Sequence, residues 1–344
     1  MNGEYRRMKR LKFPVYATFC INSYCNAKCK HCSSASTAFH KDDLSTEIIL
    51  STLREMSELG VFQLGISGGE PLLHPDIEKI ISTAKGLGFY VGLGSNGMII
   101  DQAMAQKLKQ LQVNHVQISL DGDNSTTHDF FRGVPGLFDK AIRAIKELIN
   151  ANIKVHVCMT PTILNYQELE GVIELCLQLG VSCFNLSQFV PVGRGSVELD
   201  IPPIAWKQIM HIWKEKKLKF GNKMNFYTHE AQQILLDDSL FDLPYFTGCQ
   251  AGNGVCCIKA NGDILPCVLL DIPIGNIREN SFSTIWLNSP ILEELNNRQN
   301  YSEPCAQCIY VEKCGGCRGV AYGSFGDYFA PDPHCWLDSN GERL

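Results

Sequence analysis

The stretch Cys25-Asn26-Ala27-Lys28-Cys29-Lys30-His31-Cys32 sets three cysteines at the spacing CxxxCxxC. Three thiolates this close together can hold three irons of a cubane iron–sulfur cluster. Such clusters take four cysteine ligands as a rule, so a set of three leaves one iron open to a substrate. Chance clustering, or a zinc site short of one ligand, is the competing explanation.

The elements around this loop must place it. An apolar run, Val15–Cys20, reads as a strand that leads into it. Five more strand candidates follow: Val61–Ile66, Tyr90–Gly94, His115–Leu120, Lys154–Met159 and Cys183–Phe189. Helical patterns alternate with them. Ile49, Leu53, Met56 and Leu59 share a face, with Ser45 placed to cap and Glu47 in the first turn. Ile77, Ile80, Ala84 and Leu87 repeat this after Pro75 and stop at Gly88. Leu169, Val172, Ile173, Cys176 and Leu179 do so again before Gly180. Strand–helix alternation of this length predicts a parallel sheet with helices outside. Six such units are two short of a full (β/α)8 barrel.

Functional groups in parallel α/β architectures come from the C-terminal ends of strands. The unusual residues fall there in succession. They are the cysteine loop, Ser67-Gly68-Gly69-Glu70-Pro71, Gly94-Ser95-Asn96-Gly97, Ser119-Leu120-Asp121-Gly122, Met159-Thr160-Pro161-Thr162 and Gln188 to Gly195. Singly, each could be only a turn.

Composition narrows the classes. Hydrophobic residues make up 45% of the 344, and the net charge is −5, which argues against a nucleic-acid-binding surface as the main function. No run of 18 apolar residues exists, so no membrane span is expected. Met1 to Lys12 carries Arg6, Arg7, Lys9, Arg10 and Lys12 without an apolar core; it reads as a solvated basic tail over 1–14 and not as a secretory signal. A cytoplasmic location is expected. Sixteen cysteines are many for such a chain, and without a signal peptide metal or redox chemistry is favoured over disulfides. Four lie between Cys20 and Cys32, and nine between Cys249 and Cys335.

With the glycine and carboxylate segments that follow it, CxxxCxxC resembles the signature of the radical S-adenosylmethionine (SAM) enzymes. The resemblance implies a partial (β/α)6 TIM-like barrel over 15–200, followed by a helical linker over 201–248. It also implies a [4Fe–4S] cluster on Cys25, Cys29 and Cys32 whose open iron SAM completes. One electron then cleaves SAM to methionine and a 5′-deoxyadenosyl radical, which takes a hydrogen from the substrate. Glycines let backbone approach a ligand closely, and a carboxylate pairs with an ammonium. Gly68, Gly69 and Glu70 match the family's GGE motif, which contacts the SAM amino group. Ser119 and Asp121 match its ribose-contacting polar residues, with Asn96 as a lesser candidate. Arg194 is expected to flank the adenine or the carboxylate. His31, where the family often has an aromatic residue, is read as packing on the cluster. His229 is read as structural, and no catalytic acid or base is assigned.

The tail has its own pattern. Cys249 is followed by Gly262-Asp263-Ile264-Leu265-Pro266-Cys267, with Asn261-Gly262 as a hairpin turn between short strands. Then come Cys305-x2-Cys308-x5-Cys314-x2-Cys317 and Cys335. A zinc ribbon spaces its pairs by ~15–20 residues, which these do not. The pattern resembles SPASM domains, the auxiliary-cluster modules of radical SAM maturases, and places one at 249–337 with a short tail at 338–344. By that resemblance Cys305, Cys308, Cys314 and Cys335 hold an outer [4Fe–4S] cluster. Cys317 crosses back to an inner one with Cys249 and Cys267, whose fourth ligand is Cys256 or Cys257. Adjacent strand residues face opposite ways, so only one of the two is expected to reach the iron. The expected cofactors are therefore SAM and three [4Fe–4S] clusters.

The family mostly modifies ribosomally made peptides; a smaller group acts on tetrapyrroles on the route to haem or haem d1. A peptide is favoured narrowly, and a tetrapyrrole is the alternative. An electron donor such as flavodoxin or ferredoxin is implied. Only about 14 residues precede the first strand, so a separate leader-peptide-binding protein is expected for a peptide substrate. An iron–sulfur electron carrier or sensor is the reading from another class; Gly68-Gly69-Glu70 speaks against it, since a carrier has no use for a SAM site.

Overall fold

Alternation of apolar residues sets the strands, and the first seven follow one another in the sheet in chain order. The computed structural model describes residues 10–38, 42–244 and 246–337; the C-terminal tail 338–344 and most of the basic N-terminal segment lie outside the described residues. Strands β1 (Tyr16–Cys20), β2 (Gln63–Ser67), β3 (Tyr90–Ser95), β4 (His115–Ser119), β5 (Lys154–Met159) and β6 (Cys183–Leu186) each pair in parallel with the next. The crossovers carry helices α1 (Thr46–Glu58), α2 (Ile77–Gly86), α3 (Gln102–Gln110), α4 (Ser125–Arg132), α5 (Leu137–Asn150) and α6 (Leu169–Leu179).

The caps follow from side-chain chemistry. Ser45 accepts from the Ile48 amide at the start of α1, and Gly180 closes α6 in the left-handed region. One face of the sheet packs Val91, Val116, Val155, Val157 and Phe184 beneath the helices, all fully buried. The other face is polar. There the rings of His115 and His156 stack at 4.1 Å, and Asn185 Nδ2 donates to Gln117 Oε1 at 3.1 Å.

Three parts of the sequence reading change. The segment 201–248 is more than a helical linker. After α7 (Pro203–Phe220) it returns as β7 (Asn225–Thr228), which pairs in parallel with β6 and makes a seventh strand of the series. Its four residues alternate buried and exposed, too short a run to stand out as a strand.

The cysteine-rich tail is also joined to this sheet. Strand β8 (Val255–Ile258) pairs in parallel with β1, β9 (Asp263–Leu265) turns back antiparallel through Asn261-Gly262, and β10 (Gly275–Asn276) adds an edge. The order is β10-β9-β8-β1-β2-β3-β4-β5-β6-β7. Helices α8 (Phe282–Asn288), α9 (Pro290–Asn296) and α10 (Arg318–Phe325) complete the tail. Arg10, read as part of a solvated tail, is docked instead: its Nη2 donates to the Trp286 carbonyl at 2.6 Å and its guanidinium lies over that ring. Among the described residues no helix is long and apolar enough to cross a membrane.

Candidate functional site

The loop after β1 is fastened by the ends of the strands beside it. From β2, the Gly69 amide donates to Asn22 O at 2.9 Å and the Glu70 amide to Tyr24 O at 2.8 Å. A Cβ on Gly69 would stand 2.0 Å from Tyr24 O, so only glycine lets the two backbones meet. From β3, Asn96 Nδ2 donates to Asn26 Oδ1 at 2.7 Å. From the end of α4, Phe131 O and Arg132 O accept from the Lys30 and Lys28 amides at 2.9 and 3.1 Å. From beyond β6, the Arg194 amide donates to Cys32 O at 2.9 Å.

Cys25, Cys29 and Cys32 come together in this frame, packed with Ala27, Leu137 and Met98. Burial pushes the Cys25 thiol up to about 11, and the charges of Glu70, Cys29 and Cys32 add to this. Three soft thiol donors on one short loop are the ligand type that iron–sulfur clusters take, so the donor set fits a cluster. His31 does not join it as a ligand: its ring stacks on Phe131 at 4.4 Å, and burial, with Arg132 nearby, lowers it to about 3 and keeps it neutral.

Glu70 is 1% exposed. Its Oε1 accepts from Ser95 Oγ at 2.9 Å, and its Oε2 accepts from the Asn96 amide at 2.8 Å. Burial raises its carboxyl to about 7, against the lowering effect of those bonds. Ser119 ends β4 and is part-exposed. Gly68 packs against Asn22.

Two expected SAM contacts are otherwise engaged. Asp121 is fully buried: its Oδ2 accepts from Arg132 Nε at 2.6 Å and pairs with Nη2, and its Oδ1 accepts from the Thr160 amide at 2.9 Å. Its carboxylate pairs with Arg132. The Arg194 guanidinium is taken by carbonyls of the cysteine loop, Nε donating to Cys29 O at 2.9 Å and Nη1 to Ser36 O. It clasps the loop. The sequence reading missed Arg132, thirteen residues after Ser119, because its two partners lie on other elements.

The tail cysteines fall into sets. Cys305, Cys308, Cys314 and Cys335 line one small cavity with Gly315, Gly316 and Asp332, which fits the outer cluster. Cys249 and Cys267 pack together with Ala251, Leu270 and Tyr322. Asp332 Oδ2 accepts from the Cys317 amide at 2.7 Å and from Gln232 Nε2 at 2.6 Å, tying the tail to the segment after β7. Cys256 and Cys257 are both 1% exposed within β8. Cys256 faces the main apolar core, whereas Cys257 Sγ lies 4.0 Å from Cys20 Sγ beside Leu265. Among the described residues no three Cys, His, Asp or Glu side chains converge closely enough to hold a metal ion as they stand.

Sequence comparison agrees with this architecture. The radical SAM superfamily model matches residues 20–176, and the model for an iron–sulfur cluster-binding domain, SPASM, matches 249–309. The chain is a radical SAM enzyme with a C-terminal SPASM domain, and belongs to that family. An AdoMet-dependent heme synthase of Methanosarcina barkeri is 32% identical over 92% of this chain and 94% of its own length. The mycofactocin maturase MftC of Mycolicibacterium smegmatis is 30% identical, over 94% of this chain and 83% of its own. Among solved structures, Streptococcus suis SuiB bound to S-adenosylmethionine has the same fold, with a TM-score of 0.80 at 20% identity over 95% of this chain and 78% of its own.

Proposed function

We propose that the chain cleaves SAM reductively at Cys25, Cys29 and Cys32 and uses the radical to modify a ribosomally made peptide. The carrying observation is the convergence of four neighbouring elements on the cysteine loop, with a buried carboxylate, Glu70, beside it. A reduced [4Fe–4S] cluster held by Cys25, Cys29 and Cys32 would supply the electron that cleaves bound SAM, and so a 5′-deoxyadenosyl radical able to take hydrogen from the substrate. The chain's own part is to hold and shield. Glu70 accepts from the SAM ammonium; Gly68 and Gly69 let the backbone approach; Ser119 and Asn96 lie at the strand ends where the ribose would sit. Burial of Ala27 and Cys29 against Leu137 helps to keep water from a reactive species. In the tail, Cys305, Cys308, Cys314 and Cys335 hold one auxiliary cluster, and Cys249, Cys267 and Cys317 a second. An external one-electron donor of the flavodoxin or ferredoxin kind reduces the first cluster, and a separate protein presents the peptide leader.

The peptide reading is supported by relatives named as maturases, MftC and the sporulation killing factor maturation protein SkfB of Bacillus subtilis. A specific observation favours a second reading, a tetrapyrrole: three heme synthases are 32%, 28% and 29% identical, each over 92% of this chain. One experiment separates them. Anaerobically reduced protein is given SAM with either a precursor peptide encoded beside its gene or an iron coproporphyrin, and products are read by mass spectrometry. A mass change in the peptide, dependent on Cys25, Cys29 and Cys32, supports the first reading. A change only in the porphyrin replaces it with the second.

A further inference from the structure

Arg132 is a nearly buried charged side chain with a thiol as its second partner. It is the last residue of α4, is 9% exposed, and is held on one edge by Asp121, through Nε at 2.6 Å and through Nη2. Its remaining edge is turned to the cysteine loop, where Nη1 donates to Cys29 Sγ at 3.5 Å. The geometry is braced. Asp121 is fixed from the far side by the Thr160 amide, and its own amide donates to His128 Nδ1 at 3.1 Å. The carbonyls of Phe131 and Arg132 take the Lys30 and Lys28 amides on either side of Cys29. The helix end therefore grips the loop with its backbone and offers it a guanidinium at the same point.

A buried cation is costly unless paired. A surface or packing role would not need one aimed at sulfur. Hydrogen bonds to the cysteine sulfurs are among the levers that set the potential of an iron–sulfur cluster. A positive charge beside Cys29 favours the reduced, more negative state. We propose that Arg132 is a positioning and tuning residue for the first cluster, raising its reduction potential through Cys29, with Asp121 as the counter-charge that holds the guanidinium there and tempers its effect. The inference rests on reading Cys25, Cys29 and Cys32 as cluster ligands.

The test is a redox titration of the reconstituted full-length protein without SAM, followed by electron paramagnetic resonance. The first cluster's signal is identified by its loss in the triple Ala variant of Cys25, Cys29 and Cys32. In Arg132→Gln the potential falls, by about a tenfold loss in the constant for one-electron reduction, or about 59 mV. Arg132→Lys keeps the charge and stays nearer the wild type. Asp121→Asn moves the potential the other way, since the guanidinium loses its counter-charge; this variant also decides the matter if Arg132→Gln does not load iron. An unchanged potential in Arg132→Gln, or a fall in Asp121→Asn, overturns the proposal. So does a shift in Arg132→Lys as large as in Arg132→Gln, which would make it loop distortion and not charge. An Arg132→Gln protein with a normal potential but weakened SAM binding assigns the residue to SAM instead. If the triple Ala variant loses no signal, the assignment of the first cluster itself fails, separately from the role of Arg132.

Discussion

Glu70 shows how burial alone can set the behaviour of one residue. Its carboxyl is raised to about 7, first by burial. A carboxyl raised on folding contributes stability that is present below its unfolded value and lost as pH rises through about 7. Pairing with an ammonium has the opposite sign, because it needs the ionised form. SAM affinity should therefore weaken as pH falls from 8 to 6, while Glu70→Gln binds weakly with little pH dependence; isothermal titration across that range checks both. Glu70→Ala should cost about 1.5–3 kcal/mol, roughly ten- to a hundred-fold in Kd. An unchanged Kd would reduce Glu70 to a brace for Ser95 and Asn96.

The elements matter here as clamps more than as catalytic carriers. Gly69 and Gly193 both lie against the backbone of the cysteine loop: a Cβ on Gly193, whose φ is +66°, would stand 2.4 Å from Cys32 O. Gly69→Ala should push the Tyr24 carbonyl away and empty the first cluster while the tail keeps its iron. Iron and sulfide counting, with SAM cleavage as the second readout, tests this. Retention of full iron and activity would show that the loop can be displaced without loss. The two faces of β8 make a further distinction. Cys257 lies on the side of Cys20 and Leu265, and Cys256 under the main core. Of the two, Cys257 is the candidate fourth ligand of the inner cluster. Cys257→Ala should lower the iron content and Cys256→Ala should leave it intact; the reverse pattern would transfer the ligand role to Cys256.

At the scale of the molecule, the auxiliary region is stitched to the barrel and not merely tethered. β8 lengthens the barrel sheet beside β1, the strand that leads into the first cysteine loop. On the opposite flank, His334 Nε2 meets Asp200 Oδ1 at 2.7 Å and its Nδ1 lies 2.5 Å from Gln188 Nε2, next to Cys335. Three cubanes of four irons predict about twelve irons per loaded chain. Because Cys314 and Cys317 are assigned to different clusters, removing either ligand should loosen both sites. Single Ala variants at Cys314 and Cys317, followed by spectroscopy of each cluster, test that coupling. A fully loaded chain with only four to eight irons, or zinc bound at Cys305–Cys317, would contradict the allocation.

The cysteine loop, the six parallel strands and the spacing of the tail cysteines are legible in the chain alone. These are local signals: thiol spacing, alternating apolar residues, and glycines at strand ends. The Asn261-Gly262 turn was legible in the same way. Tertiary structure alone decided what lies between distant residues. It gave Asp121 to Arg132 and Arg194 to the loop carbonyls, because a buried charge takes the partner that folding brings nearest. It also made a strand of Asn225–Thr228, a segment without an apolar run, since its backbone finds a ready edge on β6. The joining of the tail to β1 has the same cause: pairing across 239 positions, as between Tyr16 and Val255, leaves no periodic trace in either segment.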